Sequence, residues 1–228
     1  MLKTLTPKPQ QQLVSVSAGE VKLKGSLIIP DGATSIVLFA HGNGSSRHSP
    51  RNRYVAGVLE LCGLATLLID LLTPEEEELD LRTRHLGFDM RLLASRLVGA
   101  TDWLLQNSNT SHLNIGYFGA STGGGAALVA ATKRPEVVKA VVTRSGRLDL
   151  AGLVLPQVQA PTLLIVGGYD LPAIAMHEDA LKQLQTKKQL EIISNATHLF
   201  PEPGTLAEAA RVASEWFKCY LVEDASQN

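Results

Sequence analysis

The stretch NIGYFGASTGGGAALVAA, residues 114–131, decides the fold. It opens with strand formers, and an alanine-rich run of helical character starts directly after Gly123. A strand that turns at once into a helix needs very small residues at the crossing, because a Cβ there would strike neighbouring backbone. Gly119 and Gly123 each lie two residues from Ser121, which is the G-x-S-x-G spacing of a tight strand-to-helix elbow. Such an elbow lifts one hydroxyl out of the carboxyl edge of a sheet. It also aims the first helical turn, with unpaired N–H groups and a positive dipole end, at the same point. The run is not a phosphate loop, since the G-x-x-x-x-G-K-[ST] spacing and its lysine are missing.

Around this elbow the chain alternates. Residues 12–29 vary between apolar and polar on both sides of Ala18-Gly19, predicting a hairpin of two strands, each with one wetter face. Continuous apolar runs follow at 35–40, 65–70, 114–119, 137–143, 161–168 and 190–195. Their β-branched and leucine content suits strands buried on both faces of a parallel sheet. Helical patterns lie between them, clearest at 88–106 and 204–222. Strand and helix in alternation predict an α/β domain with a mostly parallel sheet and helices between the strands. The tally is two leading strands and about six more. No repeat, linker or second domain is visible, so residues 1–228 read as one domain. Only 17 residues separate Thr143 from Pro161, room for a short helix and not for a large lid.

Composition narrows the partners. A net charge of -1 gives no bulk attraction to nucleic acid or anionic membranes. Aromatic residues make up 5% and no basic run interleaves with them, which argues against nucleic acid. No apolar run reaches the roughly 18 residues that span a bilayer. The N-terminal MLKTLTPKPQQQ lacks the apolar core of a secretory signal. Cys62 and Cys219, flanked by apolar residues, read as reduced core residues of a cytoplasmic protein. No cluster of histidines and carboxylates has metal-ligand spacing, and no cofactor is expected.

A serine hydroxyl is a weak nucleophile at neutral pH and needs a base. Of six histidines, His198 follows the last strand, in SNATHLFPEPG, at the edge where Ser121 emerges. His112 begins a strand at the opposite edge, His177 falls inside a helical pattern where a surface role is expected, and His41 reads as a hydrogen-bonding residue of its turn. The orienting carboxylate should also follow a strand. Asp170 does so in PTLLIVGGYD, Asp149 is its competitor, and Asp70 reads as bracing a loop. Ser121, Asp170, His198 is then the chain order. The glycine-rich turn in LFAHGNGSS, with Gly42 and Gly44, would let the backbone N–H of Asn43 join that of Thr122 in facing an oxyanion.

The assembled pattern resembles the α/β-hydrolase superfamily over nearly its whole length. HGNG, GASTG and ATHLF, with no lid, are similar to its dienelactone hydrolase-like branch. The resemblance implies an α/β-hydrolase fold: a mostly parallel eight-stranded sheet with the second strand antiparallel, and helices on both faces. It implies hydrolysis of a small ester or lactone through an acyl-enzyme. Ser121 would be the nucleophile, His198 the base and then the acid, Asp170 its orienter, and Asn43 and Thr122 the oxyanion donors. Dienelactone hydrolases carry cysteine at the nucleophile position, where this chain has Ser121. Acyl transfer and peptide hydrolysis share the same machinery, and a binding protein that keeps the fold is the reading from another class.

Arginines supply the one clue to substrate. Arg47, Arg51 and Arg53 follow the oxyanion turn, and Arg144 and Arg147 follow a later strand. A guanidinium suits a carboxylate or phosphate. Arg47, Arg144 and Arg147 are therefore candidates for holding an anionic small molecule, unless they pair with the acidic stretch at 73–85. Glu75 to Glu78 read as a solvated face or first helical turn, with a covering loop over the site as the sharper option.

Overall fold

The computed structural model describes residues 10–222; the polar N-terminus at 1–9 and the last residues of the single-domain reading lie outside them. Strands β1 (Gln12–Ala18) and β2 (Val21–Ile28) form the expected hairpin. Strands β3 (Ser35–Ala40), β4 (Ala65–Ile69), β5 (Asn114–Ala120), β6 (Val138–Arg144), β7 (Thr162–Gly167) and β8 (Lys188–Ile193) then build an eight-stranded sheet ordered β1-β2-β4-β3-β5-β6-β7-β8. Only β2 runs antiparallel to both its neighbours, and the remaining pairings are parallel.

The burial of each strand follows its pattern. Every residue of β3, β4 and β7 is buried, as a continuous apolar run requires, whereas β1 alternates because one face is wet. Helices α1 (Pro50–Leu61) and α6 (Thr205–Leu221) cover one face with Phe39, Phe118 and Val142 beneath them. On the other face α3 (Met90–Gln106), α4 (Thr122–Lys133) and α5 (Leu171–Gln183) bury Leu38, Tyr117 and Leu164. The 17-residue connection holds a short, kinked 3-10 segment over Leu148–Gln157 and no lid.

The acidic run resolves into a helix. Thr73 and Glu76 form a capping box for α2 (Pro74–Thr83), and Glu75, Glu76 and Glu77 occupy its first turn, where the dipole favours them. Two expectations fail. Cys219 is exposed and Cys62, which caps α1, is half-buried, so neither is a core residue. Apolar flanking residues on an amphipathic helix mark one face only, and Cys219 lies off it. Among the described residues no helix is long and apolar enough to cross a membrane.

Candidate active site

The sheet's register assembles the site. Ala40 of β3 lies opposite Gly119, and Ala120 lies opposite Arg144 of β6, so three strands end level with one another. Ser121 caps α4 at φ 53° and ψ −125°, a conformation that costs a non-glycine residue about 1–3 kcal/mol. Its backbone is held from several sides. Its N–H donates to the Arg144 carbonyl at 3.2 Å, and its own carbonyl accepts from Gly124 and Arg147, each at 2.9 Å. The glycine at 123 is obligatory, since a Cβ there would strike the Ala40 carbonyl oxygen. A Cβ on Gly42 would lie 2.7 Å from that of Ser121, so the glycine-rich turn after β3 packs directly on the serine.

His198 and Asp170 meet as the sequence predicts. The Nδ1–H of His198 donates to Asp170 Oδ2 at 2.6 Å, and Ser145 Oγ donates to the His198 carbonyl at 3.0 Å, fixing the loop. Ser121 and His198 line one cavity of about 110 Å³, together with Gly42, Asn43, Arg144 and Asn52. Asp149, the competing carboxylate, is instead bonded twice to Arg147, which holds its carboxyl below the usual range.

The other histidines sort by environment. His41 is buried; its Nδ1–H donates to the Gly42 carbonyl at 2.9 Å, and its Nε2 accepts from the Leu71 N–H at 3.0 Å. Burial pulls its pKa down, which keeps it neutral and structural. His112 is exposed at the opposite edge. His177 corrects the expectation of a surface role: it is 0% exposed, with Nδ1–H donating to the Ala173 carbonyl at 2.7 Å, and burial lowers its pKa. A lone histidine in a helical pattern carries no signal of which face it takes, and here the buried face of α5 claims it.

The arginines separate. Arg47 is turned away to Asp70: its backbone N–H donates to Asp70 Oδ1 at 2.7 Å and its guanidinium pairs with Oδ2. Arg147 pairs with Asp149 at the surface. Neither lines the cavity of Ser121, and neither pairs with the acidic stretch, whose Glu76 pairs with Arg96. Arg144 alone of the three stands in the site. It is 5% exposed, its Nη2 donates to Asn52 Oδ1 at 3.3 Å, and the Phe200 ring lies 5.6 Å from its guanidinium. Its Nε and Nη1 have no partner among the described residues. Burial, and then the charge of Arg51, brings its pKa down to about 10. It is therefore still a cation at neutral pH. Sequence reasoning missed Asn52 and noted Arg51 only as one of a group of arginines, because only the fold brings the start of α1 against the end of β6.

The oxyanion turn holds one more contact. The Asn43 N–H donates to Thr122 Oγ1 at 2.8 Å, tying the turn to the residue after Ser121. Thr122→Val keeps the shape and removes the acceptor, leaving a part-buried N–H unpaired. It should lower stability in urea by about 1–3 kcal/mol, and Thr122→Ser should restore most of it. A second chamber of about 360 Å³ opens on the far side of this contact, under α2, with Leu71, Leu81 and Leu93 in its walls and Glu77 and Asp80 among them.

A serine on a strained elbow at the carboxyl edge of this sheet, in one cavity with a histidine bonded to an aspartate, fits the α/β-hydrolase class. Residues 70–221 match the dienelactone hydrolase family, and the chain belongs to it. A crystal structure of a dienelactone hydrolase from Anabaena variabilis superposes with a TM-score of 0.92 at 73% identity, covering 94% of this chain and 99% of that one. Est1E from Butyrivibrio proteoclasticus shares the fold, with a TM-score of 0.74 at 15% identity over 90% of this chain and 97% of its own. A putative phosphoribosyl transferase of Mycobacterium tuberculosis is 54% identical over 94% of this chain. The match takes in 48% of that protein, so the chain spans about half the length of these curated relatives. A bis(hydroxyethyl) terephthalate hydrolase of Streptomyces coelicolor is 28% identical over 57% of the chain and 43% of its own length.

Proposed function

We propose that the chain hydrolyses a small carboxylic ester, lactone or thioester through an acyl-enzyme on Ser121. One observation carries this: the strained Ser121 shares a cavity with His198, whose Nδ1–H is bonded to Asp170 at 2.6 Å. His198 takes the Ser121 proton as Oγ attacks the carbonyl carbon, then returns it to the leaving group. Water, activated by the same imidazole, attacks the acyl carbon and frees Ser121. Asp170 keeps the imidazole in the required tautomer and stabilises its cation. The Thr122 N–H at the start of α4 receives the oxyanion, joined by the Asn43 N–H when it exchanges the Thr122 hydroxyl for the substrate oxygen.

Phosphoribosyl transfer, named for the mycobacterial relatives, has no step for a serine nucleophile with a histidine base. We assign it to the half of those proteins that this chain does not match. In this reading the substrate is a small molecule and the cytoplasm is the site of action.

The test is intact mass after treatment with a fluorophosphonate, followed by mapping of the labelled peptide. A single adduct on Ser121 supports an activated serine. An adduct on another serine, or none, removes the reading in favour of a binding protein that keeps the fold.

A further inference from the structure

The cavity beside Ser121 carries charge that no ion pair among the described residues balances. Arg144 is buried, with two guanidinium nitrogens unpartnered, and lines it. Arg51, also in its wall, makes no ion pair among the described residues. No aspartate or glutamate lines this cavity. Ser49, Arg51 and Asn52 place the first turn of the 12-residue helix α1 in the wall, and α4 starts at Ser121, so two positive helix ends add to the two arginines. A buried cation without a counter-charge is costly, and folds keep one where a ligand supplies the missing charge. The chamber under α2 differs, with Glu77, Asp80 and Arg84 set among the leucines of its walls.

We infer that the substrate is an ester carrying a phosphate group, held by the side chains of Arg144, Arg51 and Asn52 while its carbonyl faces Ser121. This rests on the hydrolase reading above. Charge selects phosphate over carboxylate: a phosphomonoester brings about two negative charges at neutral pH, matching two guanidinium groups, where a carboxylate leaves one unbalanced. Donors arriving from β6 and α1 also suit a tetrahedral anion. Size agrees, because a cavity of about 110 Å³ has room for a compact anion. The larger, uncharged part of the substrate then belongs under α2, against Leu71, Leu81 and Leu93.

The experiment compares three p-nitrophenyl esters of equal chain length ending in phosphonate, carboxylate or methyl, on the wild type, Arg144→Gln and Arg51→Gln. The wild type should favour the phosphonate ester over the methyl ester by about 10- to 100-fold in kcat/KM, as expected for charge-assisted hydrogen bonds. Both variants should pull that ratio toward one, and Arg144→Lys should restore part of it. Equal losses on all three esters would mean that Arg144 only braces the fold, and a preference for carboxylate would overturn the phosphate assignment. If no ester is turned over, inorganic phosphate still tests the subsite. It should raise the Tm of the wild type above that in chloride at equal ionic strength, and should do so less in Arg51→Gln. No difference between the salts sinks the subsite, independently of whether Ser121 is a nucleophile.

Discussion

Ser121→Ala is expected to lower kcat on any ester the protein accepts by roughly a million-fold, the scale of losing the nucleophile of a triad. The fold should not change with it, because alanine meets the same strain as serine at φ 53° and ψ −125°. Ser121→Gly separates the two roles of the position. It too removes the nucleophile, but it releases about 1–3 kcal/mol of backbone strain against roughly 0.5–1 kcal/mol of added chain entropy in the unfolded state. The glycine variant should therefore be dead and about 1 kcal/mol more stable, a rise in Tm of about 2–4 °C for a chain of this size. Progress curves with p-nitrophenyl acetate and a melting curve on each variant decide it. Substantial turnover by Ser121→Ala would show that another group attacks the ester. A glycine variant less stable than the wild type would show that Ser121 is not held against its preference.

The elbow that holds Ser121 was legible in the sequence, although its backbone strain was not. The elbow spacing named the position, and only small residues at 119 and 123 let β5 and α4 cross so closely. The buried strands were equally legible, since an unbroken apolar run such as 35–40 has no wet face to record. Ends blurred where polar residues share a strand: β8 begins at Lys188, before the apolar run at 190, because the edge position beside β7 tolerates charge. The arginines were legible as a group and not one by one. Which of Arg47, Arg144 and Arg147 enters the site depends on Asp70 and Asp149 capturing two of them, and on the register that sets Arg144 opposite Ala120. The same limit hid Arg51 and Asn52 as cavity walls, and hid the Asn43–Thr122 bond, whose partners are 79 residues apart. Side chains brought together by tertiary pairing leave no local pattern to read.

Asp170→Asn is expected to reduce kcat by about ten-thousand-fold while leaving the fold intact, on the precedent of the same change in a serine-protease triad. The reason lies in one proton. Asp170 Oδ2 accepts from His198 Nδ1–H at 2.6 Å, which leaves the lone pair on Nε2 free to take the Ser121 proton. An asparagine that presents its NH₂ group to Nδ1 selects the other tautomer, with the proton already on Nε2, and the base is lost although every atom keeps its place. His198 is about half exposed, with 46% of its side chain open to solvent, and among the described residues its hydrogen bonds are to Asp170 and, through the loop, to Ser145. Asp149→Asn is the matched comparison. It breaks the surface pair with Arg147 and should cost well under 1 kcal/mol of stability, with no comparable loss of rate. Steady-state kinetics on the two variants, with the rate of fluorophosphonate labelling as a second readout, distinguish the carboxylates. Equal rates for Asp170→Asn and the wild type would make the contact with His198 incidental, and a collapse in Asp149→Asn would move the orienting role to the other strand.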